Sequence, residues 1–572
     1  MEGIVYSNLK EIVKNKEAIS TDVNTDKWGL MPFQAGEVTG ECLIAAELAY
    51  PEDLHIAPPL KGWHKIYIAT SHLFDGYSFD IKMDGERFFM PTRNTSYRPT
   101  QNWTGMERVQ EFFYRAADMT DSEIIIRKSG EIITPFFWLR FVPMTEEEIA
   151  EYKEYMNPEG HRNMHFHFDG DTNLWLGSET EEVLLVRAQM LKNTDAKIVT
   201  YEQIETLVDY DIPKDQFRRL RKYTNKYCDE NEKVAAKIAD VAKLRIDYIH
   251  EIGAKAYVGV RPSFGDSERR ILGSGSYMKI VQEHPEWHMQ TRDGRDLDIV
   301  SYAYEGVQSY AIDFIKKSVD LGFDGVSMLM HRGMFIAFEQ PVLDEFAKRH
   351  DGLDARLVPM DDKRLKDVWC DFMTAFFRRL RKELNEYAGR HVPINVITGY
   401  TPEISRRIGV DVEALCREGL VDHICQDSME TYETLDGCLT EDGLIDMEKY
   451  KEKLLRENTV WRNFGEIWNK TEEGAPLFVE ICEKYGVEFF GQRAYYGGNP
   501  VKHLDWVKKM RALGVKNFNF FNYCHYCQDL PLWYTMTKLG HEVNLEYCTP
   551  NQYRMISLDG VDVSTYLPHW RG

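Results

Sequence analysis

Apolar and polar positions along this chain change rhythm once, near residue 150. Before it, short β-branched and aromatic runs are broken by Gly, Pro, Asp and Asn: "ECLIAAELAY", "WHKIYIAT", "YSFDIKM", "RFFMP", "SEIIIRKSG" and "TPFFWLRFV". Many short strands at this spacing predict a β-sandwich. The acidic, helix-like "TEEEIAEYKEYMNPEG" leads into the second rhythm, in which strand candidates alternate with long amphipathic helices. That alternation predicts a parallel sheet closed by crossovers.

From residue 163 the strand candidates are "MHFHFDGD", "KIVTYEQ", "AKAYVGVRP", "FDGVSMLM", "PINVITGY" and "VDHICQD", then either "TVWRNFGE" or "VEFFGQRAY", and finally "NFNFFNY". Eight positions fit a (β/α)8 barrel, with the seventh open between two segments. The intervening segments read as helices. "SETEE" places Ser178 and Glu181 as a capping box. Val307, Ala311, Phe314 and Ile315 share one helical face, and Gly322 can end that helix. The tail "QYRMISLDGVDVSTYLPHW" returns to strand and turn chemistry. The expected fold class is therefore α/β: a (β/α)8 TIM barrel over 151–535, an N-terminal β-sandwich accessory domain over 1–150, and a strand-rich tail over 536–572 packing on one or the other.

Composition adds limits. A chain of 572 residues is too long for one compact core, which agrees with a division into parts. With 43% hydrophobic and 28% charged residues, no long stretch is polar enough to stay disordered. A formal charge of −22 disfavours nucleic acid, because phosphate binding gathers Lys and Arg on one face. No run of 18 apolar residues could span a bilayer, and "MEGIVYSNLKEIVKNKEAIS" lacks the apolar core of a secretory signal, so with Met1 as the start a cytoplasmic protein is expected. Ten scattered cysteines are no disulfide framework. The one close pair, Cys524 and Cys527, lacks the second pair or the histidines of a zinc site, so no metal or other cofactor is expected.

Barrel active sites stand where the strands end, at the C-terminal face. Read there, the strands supply His165, His167, Asp169 and Asp171; Tyr201 and Glu202; Arg261; His331 and Arg332; Thr398 and Tyr400; Gln426, Asp427 and Glu430; then Asn463 and Glu466 or Gln492, Arg493 and Tyr495; and Asn522, Tyr523 and His525. Carboxylates, cations, amides and aromatics around one mouth suit a polyhydroxylated ligand, whose hydroxyls need donors and acceptors while its ring face stacks on aromatics. A carbohydrate is the expected partner.

"HPEWHMQ", the helix from Tyr304 to Leu321 and "GFDGVSMLMHRGMFIAFEQPVLDEFAKRHDG", together with "VDVEALCREGLVDHICQDSMETY", resemble segments of bacterial glycoside-hydrolase-like barrel proteins related to the GHL10 group of family-10-like glycosyl hydrolases. The resemblance covers roughly residues 160 to 530 and implies the barrel and a glycosidase activity. It also exposes a departure. Aligned on Asp324 and Gly325, the family's two fourth-strand acids fall at Ser327 and Leu329, while Arg332 is kept. Asp324 stands at that strand's entrance, where a turn cap is expected.

Glycosidic hydrolysis normally uses two carboxyl groups. With the fourth-strand acids gone, the catalytic candidates are Asp169, Asp427 and Glu466, each with a plainer reading as a turn or cap residue. Candidate substrate contacts are His167, Glu202, Arg261, His331, Arg332, Gln492, Arg493 and Asn522, joined by Trp103 from the aromatic run "RNTSYRPTQNWTGMERVQEFFYR" of the N-terminal part. Two rivals remain. His165 and His167 share one face of the first strand and resemble the HxH of metal-dependent amidohydrolases, but the later strands do not complete that ligand set: strand five offers "VITGY", His423 lies near the start of strand six, and Asn522 follows strand eight. The missing fourth-strand acids motivate the other rival, a sugar-binding pseudoenzyme.

Overall fold

The computed structural model describes residues 3–557 except 24, 47–48, 72–77, 94–107, 130–133, 169–184, 186–188, 203–241, 263–278, 331–333, 428, 432–434, 458–463, 467–470, 493–499, 522–537 and 542–552. Eight parallel strands close into a barrel. In order they are Met164–Phe168, Ala196–Glu202, Lys255–Val260, Gly325–Leu329, Ile394–Thr398, His423–Gln426, Glu488–Gln492 and Asn517–Phe520. The last pairs with the first, His165 opposite Asn519, and that register closes the ring. All eight were expected from the pattern, and the seventh is the "VEFFGQRAY" segment. The alternative segment also forms a strand, Phe464–Glu466, but it pairs antiparallel with Met429–Thr431 outside the barrel.

Strand parity separates two apolar layers. Phe166, Val199, Val258, Val326, Val396 and Ile424 face outward into the main core shared with the helices. Ile198, Tyr257, Leu329, Ile397, Cys425 and Phe490 face inward as a separate cluster. The helix Glu305–Asp320 buries Val307, Ala311 and Ile315 and ends beside Gly322, whose φ of 106° suits a residue without a side chain. A longer helix, Lys363–Ala388, stops at Gly389 in the left-handed conformation. Among the described residues no helix is long and apolar enough to cross a membrane.

The N-terminal part forms a separate sheet domain. One sheet runs Ile19–Ser20, Trp28–Ala35, Val38–Ala45, Thr134–Pro143, Trp63–Ser71, Arg108–Asp118 and Tyr553–Ser557, with Ile4–Tyr6 added on Thr134–Pro143. The other runs Leu54–Ile56, Ile124–Lys128, Ser78–Met83 and Met90–Arg93. The sheets meet through Phe79 and Phe136, whose rings are 4.7 Å apart edge to face. Tyr553–Ser557 comes from the far end of the chain and pairs antiparallel with Arg108–Asp118. Between sheet domain and barrel lies the helix Glu146–Tyr155, started by a capping box in which Thr145 and Glu148 satisfy each other's backbone N–H.

Candidate functional site

Beside the inward apolar cluster, a chain of polar side chains crosses the barrel interior. From strand two inward, Thr200 Oγ1 lies 2.7 Å from His165 Nε2, and His165 Nδ1 lies 3.3 Å from Cys425 Sγ on strand six. Cys425 Sγ donates to Asn395 Oδ1 at 3.2 Å, and Asn395 Nδ2 donates to Ser327 Oγ at 2.6 Å. One orientation of hydrogens satisfies the chain: Thr200 O–H to His165, His165 Nδ1–H to Cys425, Cys425 S–H to Asn395, Asn395 to Ser327. It requires a neutral imidazole and an intact thiol. Burial, aided by His423, pushes His165 down to about 3, and burial lifts the Cys425 thiol well above its ordinary value. The chain fixes the barrel interior without carrying charge.

Ser327 and Leu329, the positions of the missing acids, are both fully inside. Ser327 is the last acceptor of the chain just described, and Leu329 belongs to the inward apolar cluster. Asp324 stands at the opposite end of strand four, where its carboxylate accepts from Ala256 N at 2.9 Å and meets His250 Nε2 at 2.7 Å.

Toward the C-terminal mouth a second set begins. Asp427 follows strand six, 5% exposed, with its backbone N–H held by Thr398 O at 2.6 Å. Its Oδ1 accepts from Gln492 Nε2 at 2.7 Å, and Gln492 Oε1 in turn accepts a close hydrogen bond from Asn519 Nδ2. His167, fully buried on strand one, stacks on Phe521 with ring centres 4.3 Å apart and planes 8° apart. Gln426 points elsewhere and donates to the carbonyls of Tyr400 and Thr471. Asp427 is thus the carboxylate, among the described side chains, at the C-terminal end of a barrel strand.

The remaining candidates are placed as follows. Glu202 ends strand two and Arg261 follows strand three, half-buried. Glu466 ends the short strand Phe464–Glu466, its backbone opposite Met429 just beyond Asp427. Asp169, His331, Arg332, Arg493, Asn522 and Trp103 lie outside the described residues, as do Ser178, Glu181, Cys524 and Cys527. Of the histidines considered as metal ligands, His165 is engaged by Thr200 and Cys425, and His423 sits at the far end of the barrel against Tyr257 and Glu488. Among the described residues no three His, Cys, Asp or Glu side chains gather as a metal site.

Sequence reasoning passed over the structured walls above this mouth. The hairpin His288–Gln290 and Asp296–Val300 rises after strand three, and at its turn Arg292 is fully buried. Arg292 donates to the carbonyls of Arg356 and Val358 at 3.0 and 2.6 Å and lies over the Phe338 ring at 4.4 Å. Glu339, also fully buried, accepts from Ser301 Oγ and from Ala337 N, and burial pushes its carboxyl upward. Excursions after strands three and four are thereby tied together. The signal available in the sequence was "HMQTRDGRDLDIV", two alternating runs around Asp293 and Gly294.

No protein-family model matches the chain, and no curated protein matches it significantly. Solved structures similar to it include glycoside hydrolases. The glycoside hydrolase domain of PelA from Pseudomonas aeruginosa is 9% identical, covering 64% of this chain and 96% of its own, with a TM-score of 0.32. The α-galactosidase TtGalA from Thermus thermophilus, in complex with stachyose, is 12% identical over 90% of this chain and 99% of its own, with a TM-score of 0.34. The catalytic domain of β-amylase from Paenibacillus polymyxa is 9% identical over 68% and 99%, with a TM-score of 0.38. The barrel itself is established by its own strand pairing, which is continuous around all eight strands.

Proposed function

We propose that this chain is a glycosidase that cleaves a small oligosaccharide or glycoside at the mouth of its barrel, with Asp427 as one of two working carboxyl groups. The observation that carries the reading is the carboxylate of Asp427, buried at the C-terminal end of strand six and held by an amide. A carboxylate there stands where barrel enzymes place their chemistry. Its partner is Asp169 or Glu466; the backbone pairing of Glu466 with Met429 favours Glu466, because it brings that segment beside the end of strand six. Arg261, Glu202, His331, Arg332, Arg493 and Asn522 would bind sugar hydroxyls, and His167 would shape the floor. Trp103 in the accessory domain over 1–150 would add a stacking surface at the rim. The kinship with family-10-like glycosyl hydrolases belongs to the same proposal, with the fourth-strand acids replaced by Ser327 and Leu329.

Mechanistically, one carboxyl group protonates the departing glycosidic oxygen while the other attacks the anomeric carbon or activates a water. The separation of the two decides retention or inversion. The test is hydrolysis of a panel of nitrophenyl glycosides and short oligosaccharides by the wild type and the Asp427→Asn variant. Turnover of at least one substrate that the variant loses, with sugar binding retained, supports the proposal. Unchanged turnover in the variant defeats the role of Asp427, and sugar binding without turnover in the wild type favours a pseudoenzyme.

A further inference from the structure

We propose that Arg292 and Tyr450 are positioning residues: they clasp the tip of an arm that runs between strand six and the helix Thr471–Tyr485, and so hold Asp427 and Glu466, at the feet of that arm, in working register. This deepens the proposed function and rests on it, with Glu466 as the second carboxyl group, for its catalytic meaning.

The arm leaves the barrel after Asp427 and returns before Thr471. Its feet form a ribbon in which Met429–Thr431 and Phe464–Glu466 pair antiparallel, Glu466 opposite Met429. With three residues on each side, such a ribbon is marginal in water without further support. The tip has a small core of its own, Cys438, Ile445 and Tyr450, and Leu444 packs from it onto the main core. Tyr450 stands on the helix Met447–Glu457.

Three consecutive carbonyls after strand four receive this tip and its clasp. The middle one, Leu357 O, accepts from Ile445 N. The outer two, Arg356 O and Val358 O, accept from Arg292, which comes from the hairpin after strand three. The Arg292 Cζ also lies 4.4 Å from the centre of the Phe338 ring and 5.9 Å from that of Tyr450. Phe338 N donates back to Gln290 O on the same hairpin. A fully buried cation is costly, and its carbonyl and ring partners offset part of that cost. One guanidinium thereby joins the excursions after strands three, four and six.

The consequence for the site follows from spacing. The separation of two carboxyl groups decides the course of glycoside cleavage, and a misplacement of about 1 Å can cost on the order of 100-fold in rate. The backbone of Asp427 is held by Thr398 O, whereas the described link of Glu466 to it is the ribbon. A tip left free lets the ribbon open and Glu466 leave its place opposite Met429. Both Arg292 and Tyr450 are buried, so they act through Glu466 and not on the sugar.

Arg292→Met removes the clasp and leaves the arm's own small core in place. Hydrogen exchange read by mass spectrometry needs no substrate. Met429–Thr431 and Phe464–Glu466 should exchange about tenfold faster in the variant, since a hydrogen bond to a charged group is worth about that factor, while the barrel strands keep their protection. With a substrate that the wild type hydrolyses, kcat should fall by roughly 10- to 100-fold at nearly unchanged KM. Arg292→Lys, which keeps a cation that can donate to the carbonyls, should recover part of both. If Arg292→Met does not fold, Tyr450→Ala becomes the deciding variant, with Tyr450→Phe, which keeps the ring, close to wild type. Faster exchange confined to residues 435–457 overturns the clasp. Looser feet with unchanged kcat, or a raised KM alone, overturns the positioning of Glu466. A wild type without turnover whose feet still loosen in the variant defeats the glycosidase reading and leaves the clasp standing.

Discussion

The described contacts of the carboxylates at the two ends of the barrel differ in kind. At the strand entrances each acid is met by both a histidine and a lysine or arginine. Asp195, before strand two, faces His541 at 2.6 Å and Lys538 at 3.5 Å. Asp324, before strand four, faces His250 at 2.7 Å and Lys255 at 3.4 Å. Asp422, before strand six, faces His391 at 2.7 Å and Arg381 at 2.6 Å, and Glu488 at the start of strand seven faces His423 and Lys197. Two of these acids also cap the preceding strand: Asp324 accepts from Ala256 N and Asp422 from Ile394 N. At the mouth, the described contact of Asp427 is with the amide of Gln492. Ion pairs at the entrances join segments far apart in sequence into one ring, whereas this contact links the end of strand six to strand seven. The entrances are read from this as structural, and the mouth is where the proposed chemistry is placed.

The sharpest way to break this comparison is at the mouth. Asp427→Asn should lower turnover by roughly 10²- to 10⁴-fold, the span of general acid–base contributions, while the melting temperature stays close to that of the wild type. Steady-state kinetics beside a thermal melt reads both. Next in size is the reverse experiment at an entrance. Asp422→Asn leaves Arg381 buried beside a neutral group and should cost about 2 kcal/mol of stability, measured by denaturant unfolding, with turnover per folded molecule retained.

Acid should find the entrances first. The hydrogen bond from His423, reinforced by Lys197, holds the Glu488 carboxyl down at about 2. Asp422 is also held below its usual range: burial opposes this, but the Ile394 N–H, Arg381 and His391 outweigh it. A depressed folded-state value means the contribution is present above the ordinary carboxylate range and disappears as pH falls from there toward the folded value. Stability should therefore decline between roughly pH 4.5 and about 2, and Glu488→Gln should flatten that decline. A variant as acid-sensitive as the wild type would remove Glu488 from the account. The smallest effect is expected between the two ends. Ser327→Ala takes the acceptor from Asn395 and should cost about 1 kcal/mol with no change in turnover, read by the same unfolding curves.

The sequence made the barrel strands legible because each is a short apolar run followed by a helix with its own period. The seventh was ambiguous because both segments have strand chemistry. Only pairing distinguishes them: Glu488–Gln492 follows the helix Thr471–Tyr485 and joins the parallel ring, whereas Phe464–Glu466 folds back on Met429–Thr431. In the sheet domain the long strands Trp28–Ala35 and Arg108–Asp118 went unread, along with the short Ile4–Tyr6, Ile19–Ser20 and Leu54–Ile56. Trp28–Ala35 carries Gly29 and Pro32, residues that usually count against a strand, and it turns into Val38–Ala45 through Gly36 at φ 58°. Arg108–Asp118 contains Glu111, which looks like a surface charge but is 2% exposed beneath Trp138 and Arg140. Asp427 could be proposed from its place after strand six. Its contact with Gln492 could not, nor could the entrance clusters, because their members meet only in the closed ring; Asp195 and His541 are 346 residues apart.

The most direct measurement is a crystal structure of the Asp427→Asn variant with an intact oligosaccharide that the wild type hydrolyses. The account predicts the sugar at the C-terminal mouth, with the anomeric carbon or a water in line with it about 3 to 3.5 Å from residue 427 and the carboxyl of Asp169 or Glu466 at the glycosidic oxygen. A scissile bond seated elsewhere, with residue 427 still buried against Gln492 and out of reach of sugar and water, would contradict it.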